Sequence, residues 1–162
     1  MTFNSPQMIQ RIQTLFLLLA WGLFFSLFFM DMVTMMTADG YLFSFNLKGF
    51  YELADTGKTL VNSQWSIFIM GGFINLLFAV AIFLYRRRIT QSRICIYLII
   101  FLLGILGVSL YKVYATGKVM EADVVYHIAM IFPVISAILT WLAFRAIRKD
   151  EVLTKAYERL RP

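Results

Sequence analysis

The sequence predicts an all-α membrane protein, a four-transmembrane-helix bundle. The chain has 162 residues, of which 60% are hydrophobic and 15% are charged, whereas a soluble domain is about 45–50% apolar and about 25% charged. A helix needs roughly 20 apolar residues to cross the hydrocarbon core of a bilayer. Four apolar segments are long enough, and together they predict a single membrane domain over residues 1–162, with spans at about 14–36, 65–85, 94–111 and 124–144.

Lysine and arginine are divided unevenly between the two sides of the predicted bundle. Eleven of them lie in the N-terminal stretch, the loop 86–93 and the tail 145–162, and four lie in the other two loops. The positive-inside rule assigns the Lys/Arg-rich side to the cytoplasm. We therefore expect cytoplasmic N- and C-termini and an outside loop at 37–64. The net charge of +6 then reflects topology, and no nucleic-acid partner is expected.

The connections between the spans have patterns of their own. Residues 41–47 place an aromatic or aliphatic side chain at every second position, which is the period of a half-buried strand. With a turn at 55–58, this predicts a small extracytoplasmic β-hairpin, and the alternative is an interfacial aromatic loop with no sheet. The loop 112–123 is short, so the third and fourth spans are antiparallel neighbours. The cytoplasmic tail 145–162 continues as a charged helical extension.

Helices in a bilayer pack through small and polar residues, so each predicted span has a candidate contact face. Asn75 lies near the bilayer centre, where an unpaired amide is costly. It is the candidate intramembrane polar contact, and the expected partners are Ser26, Ser109 or a carbonyl freed by a kink at Pro133. A ligand contact at Asn75 is the alternative. The other small or polar residues of the predicted faces are Gly22, Ser26, Gly71, Ala79, Gly104, Gly107, Ser136 and Thr140.

Two further groups of residues resemble metal sites. His127 is the single histidine, too few ligands for zinc, and we expect it at the interface, paired with Asp123. The methionine-rich segment 30–36 has thioethers that suit Cu(I), but methionine also fills packing gaps. The sequence leaves copper binding open there and predicts no metal site and no cofactor.

The chain has no pattern of catalytic residues. It has no Ser/His/Asp arrangement, no paired carboxylates and no Gly-rich phosphate loop. Cys95 is the single cysteine, which excludes an intramolecular disulfide and CxxC chemistry. We therefore expect a protein that is not an enzyme.

Both ends of the chain resemble one protein family. Residues 8–15, with the sequence MIQRIQTL, resemble the start of an uncharacterised bacterial family of four-helix membrane proteins. Residues 145–151, RAIRKDE, and 158–161, ERLR, resemble its end. The resemblance implies a four-helix protein of the bacterial inner membrane and lends it no reaction, because the family is a domain of unknown function.

The expected function follows from this combination of features. We expect an accessory or interaction subunit of a larger membrane assembly, with membrane lipids and an unidentified membrane protein as partners. The alternative is a binding or transport protein for a small apolar ligand such as lipid or quinone, in a groove beside Asn75 and Pro133. The candidate cytoplasmic interaction rim comprises Arg11, Arg86, Arg87, Arg88, Arg93, Arg148 and Lys149.

Overall fold

The computed structural model describes residues 5–54, 57–84 and 87–159, without the side chains of 5–11, 88 and 150–159. These residues form four α-helices: α1 (Ser5–Ser26), α2 (Trp65–Phe83), α3 (Arg88–Met120) and α4 (Phe132–Arg159). They also form five strands: β1 (Val33–Met36), β2 (Leu42–Asn46), β3 (Gly49–Ala54), β4 (Gly57–Ser63) and β5 (Asp123–Tyr126). A short 3₁₀ helix, Ile128–Ile131, leads into α4.

Three of the helical segments are long and apolar enough to cross a membrane. Within the described residues they are Trp65–Phe83, Ile89–Met120 and Ile128–Lys149, and the apolar part of α1, Ile12–Ser26, is shorter. A segment of this length and composition finds its most favourable environment in hydrocarbon, because all its backbone groups bond within the helix. The helices therefore indicate a multi-pass membrane protein.

The four helices pack as an antiparallel bundle with one weaker side. α1 lies mainly against α4, α4 against α3, and α3 against α2, while the contact between α1 and α2 is the smallest of the four. The helical core is formed by fully buried side chains from all four helices: Leu17, Phe24, Ile74, Phe78, Leu98, Leu102, Ala143 and Ile147. The seam between α1 and α2 is thus the side where the bundle is least closed.

The five strands form one antiparallel sheet, in the order β4-β3-β2-β1-β5, at the end of the bundle where α1 ends and α2 begins. Val33, Phe45 and Phe50 are buried and lie side by side on one face of the sheet, since Val33 pairs with Phe45 and Phe45 pairs with Phe50. The Phe45 and Phe50 rings lie 4.7 Å apart between centroids. This apolar face packs against the core of the bundle. We call the end of the bundle that carries the sheet the sheet end, and the opposite end, where α3 begins, the basic end.

The structure differs from the sequence prediction at two span boundaries. The first span was predicted to reach residue 36, but α1 ends at Ser26 and β1 begins at Val33. The fourth was predicted to begin at 124, but β5 occupies Asp123–Tyr126 and α4 begins at Phe132. Both strands are short apolar runs next to a helix, and hydropathy does not distinguish such a run from the helix that it adjoins. The two strands that hydropathy did not predict, β1 and β5, pair with each other in the sheet.

The predicted strand in the outside loop is confirmed, since β2 covers Leu42–Asn46, and the alternative of an aromatic loop without a sheet is wrong. The sheet is larger than the predicted hairpin, so the protein is mostly helical with a five-stranded sheet and not all-α. Ala54 of β3 pairs with Gly57 of β4 across the predicted turn. Asp55 and Thr56 in that turn lie outside the described residues.

The third and fourth helices also differ from expectation. α3 continues to Met120, through most of the predicted loop 112–123. Pro133 is the second residue of α4, so it produces no mid-span kink, because a missing N–H costs nothing in the first turn of a helix. The carbonyl of Ala129, predicted to be free, accepts a hydrogen bond from the N–H of Phe132. The predicted helical extension of the tail is present as the last turns of α4, which reaches Arg159.

Candidate functional site

Asn75 joins two helices through its side-chain amide. The indole Nε1 of Trp21 on α1 donates a hydrogen bond of 2.9 Å to Oδ1 of Asn75 on α2. Nδ2 of Asn75 donates one of 2.9 Å to the carbonyl of Gly71, one turn earlier on α2. The partner on the other helix is therefore an indole, and not one of the hydroxyls or the carbonyl that the sequence suggested. A tryptophan N–H in hydrocarbon needs such an acceptor.

A groove lies beside this contact, on the surface of α1 next to Trp21. Its volume is about 370 Å³, and its lining is Leu18, Trp21, Gly22 and Phe25. These residues follow the spacing i, i+3, i+4 and i+7, so they share one face of α1. Apart from its chain neighbours and the backbone of its own helix, no atom of the described residues lies within 4 Å of the position that a Cβ on Gly22 would occupy. The groove is therefore open and apolar, and its wall is the same Trp21 that bonds Asn75.

The predicted small-residue faces are contact faces in part. Ser136 of α4 is fully buried and donates a hydrogen bond of 3.0 Å to the carbonyl of Ala20 on α1. Gly71 is buried at the position where α2 meets Phe28, in the turn that follows α1. Three other predicted contact residues, Gly22, Gly104 and Gly107, are exposed on the outside of the bundle.

The predicted cytoplasmic rim lies at the basic end. Arg87 and Arg93 are exposed near the start of α3, and Arg148 and Lys149 are exposed near the end of the described side chains of α4. Since α2 and α4 end where α3 begins, these residues share one end of the bundle. The side chains of the other three predicted rim residues, Arg11, Arg86 and Arg88, lie outside the description.

Sequence reasoning missed Arg145 as a member of this rim. The guanidinium carbon of Arg145 lies 5.6 Å from the centroid of the Trp141 ring, and that of Arg148 lies 5.7 Å from the Phe144 ring. Each pair is spaced i, i+4, which brings side chains together on a helix surface. That spacing of an aromatic residue before an arginine was the signal in the sequence that could have found it.

A second exposed surface lies at the sheet end, where α3 turns into β5. Gly117 in the last turns of α3 lies against Val124 of β5, because a Cβ on Gly117 would sit 3.0 Å from the Cγ2 of Val124. The last turns of α3 and the strand β5 also expose four apolar or aromatic side chains, which we call the α3–β5 corner: Tyr114, Val119, Val125 and Tyr126. Val119 is 85% exposed.

The two edges of the sheet differ in how they are protected. The edge strand β4 has a bulge, since Phe50 pairs with Asn62 and Tyr51 pairs with Leu60, which leaves Val61 unpaired. Lys58 of β4 is bonded to Asp31 at 2.5 Å. Bulges and lysines are devices that discourage pairing with another chain. The edge strand β5 pairs with β1 in regular register and contains no lysine and no bulge.

The fold places His127 and the methionine-rich segment 30–36, the two candidate metal sites, in different surroundings. His127 is exposed, and its Nε2 lies 2.7 Å from Oγ1 of Thr34, so its observed partner is Thr34 and not Asp123. In the methionine-rich segment, Met32 and Met35 are buried in the core whereas Met30 and Met36 are exposed. Among the described residues no group of three His, Cys, Asp or Glu side chains could hold a metal ion.

The three helices that are long and apolar enough to span a bilayer indicate the class, a multi-pass membrane protein. The chain belongs to the DUF4293 family, described as a domain of unknown function, whose model matches residues 9–160. The resemblance of the sequence to a family of unknown function is thereby confirmed. A search of curated proteins finds no significant match.

Proposed function

We propose that this protein is a non-enzymatic accessory or interaction subunit of a larger membrane assembly, in the inner membrane of a bacterium. In this proposal the basic end and both chain termini are cytoplasmic and the sheet is outside. The orientation is supported by the eleven lysines and arginines on one side of the predicted spans against four on the other.

The observation that supports the function best is the α3–β5 corner. From Arg93 to Lys112, α3 rises about 28 Å at about 1.5 Å per residue, which is close to the thickness of the hydrocarbon core. Beyond Lys112 the helix continues for about 12 Å to Met120. Val119 and the exposed residues of β5 therefore lie above the membrane. Apolar side chains that are exposed to water together are typical of a protein interface.

The partner that fits this corner is another protein with an extended segment and apolar side chains. β5 leaves one side of its backbone unpaired at the edge of the sheet, and an extended segment can add to such an edge. The neighbouring side chains of the corner would then give specificity. The opposite edge strand, β4, is longer than β5. Its bulge and its lysine, however, discourage the addition of a strand from another chain.

Purification in mild detergent tests this proposal. We expect the wild-type protein to co-purify with a stoichiometric membrane protein, and Val125→Lys to reduce the yield of that partner about tenfold, as for an interface hot spot. Leu60→Lys is the matched control, because Leu60 is 52% exposed on the edge strand β4 and Val125 is 58% exposed on β5. A wild-type protein that purifies alone would contradict the proposal.

A second function is favoured by a different observation, the groove beside Trp21 and Asn75. Its apolar lining suits the chain of a lipid or quinone, and the Trp21–Asn75 bond gives it a polar neighbour. A carrier would purify without a protein partner and with bound lipid or quinone. Gly22→Leu would fill the groove and remove that ligand, whereas the same change would leave an accessory subunit with its partner.

A further inference from the structure

One face of α4 at the basic end is both aromatic and basic, and what we infer from it does not depend on the proposed function. Trp141, Phe144, Arg145 and Arg148 follow the spacing i, i+3, i+4 and i+7, so they form one continuous stripe, which we call the α4 clamp. Two arginine side chains are neighbours here, each placed over an aromatic ring of the preceding turn.

Both guanidinium groups lie near aromatic rings and away from the described carboxylates. Among the described side chains the ion pair is between Asp31 and Lys58, at the sheet end, and no described acid contacts Arg145 or Arg148. A guanidinium group on an aromatic ring keeps its in-plane N–H donors available. The clamp thus presents two guanidinium groups, each next to an aromatic ring of the preceding turn.

The clamp lies at the depth of the lipid headgroups. From His127 at the sheet end to Arg145, the 3₁₀ helix and α4 together rise about 27 Å, so Arg145 is reached where about 30 Å of hydrocarbon ends. Trp141 lies one turn deeper, at the level where tryptophan is enriched in membrane proteins. Arginine side chains at this depth extend their charge toward the interface while their stems remain in lipid.

The described charges around the clamp favour an anion. Lys149 is exposed next to it, and Arg87 and Arg93 are exposed on the other side of the same end of the bundle. Phosphate is the anion that is present at this depth in every phospholipid leaflet, and two arginines can hold it by several charge-assisted hydrogen bonds. A net negative headgroup adds attraction that a zwitterionic headgroup lacks.

We propose that the α4 clamp binds the headgroup phosphate of one anionic phospholipid, between the guanidinium groups of Arg145 and Arg148. Trp141 and Phe144 are positioning residues in this site: they hold the guanidinium groups and touch the upper part of the acyl chains. The lipid is bound specifically, in addition to the general attraction of the basic end for an anionic leaflet.

Native mass spectrometry of the purified full chain, titrated with phosphatidylglycerol and with phosphatidylcholine, tests the site. Hydrogen bonds between a guanidinium group and a phosphate are stronger than the general attraction of a surface charge, so we expect the double variant R145Q/R148Q to bind phosphatidylglycerol at least about tenfold more weakly. The matched control is R87Q/R93Q, which removes the same charge from exposed arginines at the same end, and we expect a change of less than about twofold. An equal loss in both double variants, or no loss in R145Q/R148Q, would overturn the proposal.

Two further variants separate the clamp from plain charge and from misfolding. R145K/R148K keeps the charge but loses the planar donors, and we expect an intermediate loss because lysine binds phosphate as a point charge. W141L/F144L keeps both arginines and removes the rings, and we expect weaker binding of phosphatidylglycerol with no change for phosphatidylcholine. Unchanged binding in both variants would contradict the clamp. The thermal unfolding of each variant in lipid-free detergent shows whether the fold is retained.

Discussion

The Nε1 of Trp21 and the Oδ1 of Asn75 lie 2.9 Å apart and join α1 to α2. This hydrogen bond crosses the side of the bundle where the helix contact is smallest. Tilted aromatic contacts accompany it, with the Phe24 and Phe78 rings 6.3 Å apart. In the described part of the chain, the seam between α1 and α2 therefore includes this hydrogen bond and contacts between aromatic rings, and the groove on α1 lies next to Trp21.

The Trp21–Asn75 bond should be measurable as a coupling energy between the two side chains. Interhelical polar contacts in membranes are worth about 0.6 kcal/mol on average and up to about 1.7 kcal/mol. We expect a double-mutant cycle with Trp21→Phe and Asn75→Leu to give a coupling in this range, measured by unfolding in mixed micelles. The fold should survive each change. Trp65→Phe is the control, since Trp65 is exposed at the start of α2, and its effect should add to that of Asn75→Leu. Additive effects of Trp21→Phe and Asn75→Leu would mean that the bond contributes nothing.

Two adjacent glycines on α2 should respond differently to the same substitution. A Cβ on Gly71 would lie 3.1 Å from the Cζ of Phe28, whereas nothing lies within 4 Å of the corresponding position on Gly72. Overfilling a packed site costs about 1–3 kcal/mol, so we expect Gly71→Val to lower the free energy of unfolding by that amount. Gly72→Val should change the free energy of unfolding by less than about 0.5 kcal/mol, because its side chain meets open space. Helix propensity changes equally in both variants, so the difference between them reports the contact with Phe28. Equal effects would show that α2 is not closely packed against Phe28, in the turn after α1.

The turn between β2 and β3 requires glycine at position 49. Gly49 has a φ of +155°, and an added Cβ would overlap the backbone carbonyl of Asn62 on β4. Gly40 also has a positive φ, of +84°, but it has open space around it. Since both substitutions are strained at the backbone, the difference between them isolates the overlap. We expect Gly49→Ala to cost about 1–3 kcal/mol more than Gly40→Ala and to make the sheet more susceptible to limited proteolysis. Identical proteolysis of the two variants would count against the described packing of β3 on β4.

The proposed orientation predicts which side of the membrane each end of the bundle faces. In a Cys95→Ala background, a cysteine at Asn62 on β4 should react with an impermeant thiol reagent in intact cells. A cysteine at Thr154 in the last turns of α4 should react only after the cells are opened. The reason is the concentration of lysine and arginine at the basic end. Labelling of Thr154→Cys in intact cells would reverse the orientation.

The sequence predicted the helices well because a long apolar run in an otherwise polar context has few other structures available. It predicted β2 from the alternation of residues 41–47, with the side chain of Phe45 buried and that of Leu42 exposed at the end of the strand. It missed β1 and β5, because Val33–Met36 and Asp123–Tyr126 are continuous in hydropathy with the neighbouring helices. Pairing between segments about 90 residues apart leaves no local pattern in the sequence.

The residues of the candidate sites, like the elements of the fold, were predicted only in part from the sequence. Asn75 was expected to need a partner on another helix, but Trp21, whose indole N–H is the donor, was not among the expected partners. The exposed residues of the rim were found from their charge, whereas Arg145 was missed because its role depends on the ring of Trp141 one turn away. The α3–β5 corner could not be predicted, because the exposure of Val119 and Val125 follows from where α3 ends.

Site-specific photo-crosslinking in living cells tests the central claim, that the protein is a subunit which contacts its partner through the α3–β5 corner. A photoreactive amino acid replaces Val125 on β5 in one strain and Leu60 on β4 in a control strain, since the two side chains are similarly exposed at opposite edges of the sheet. The account predicts that position 125 forms a crosslink to one membrane protein in high yield and that position 60 does not. If position 125 gives no protein crosslink, or if both positions give the same products, the protein is not a subunit that binds through this corner.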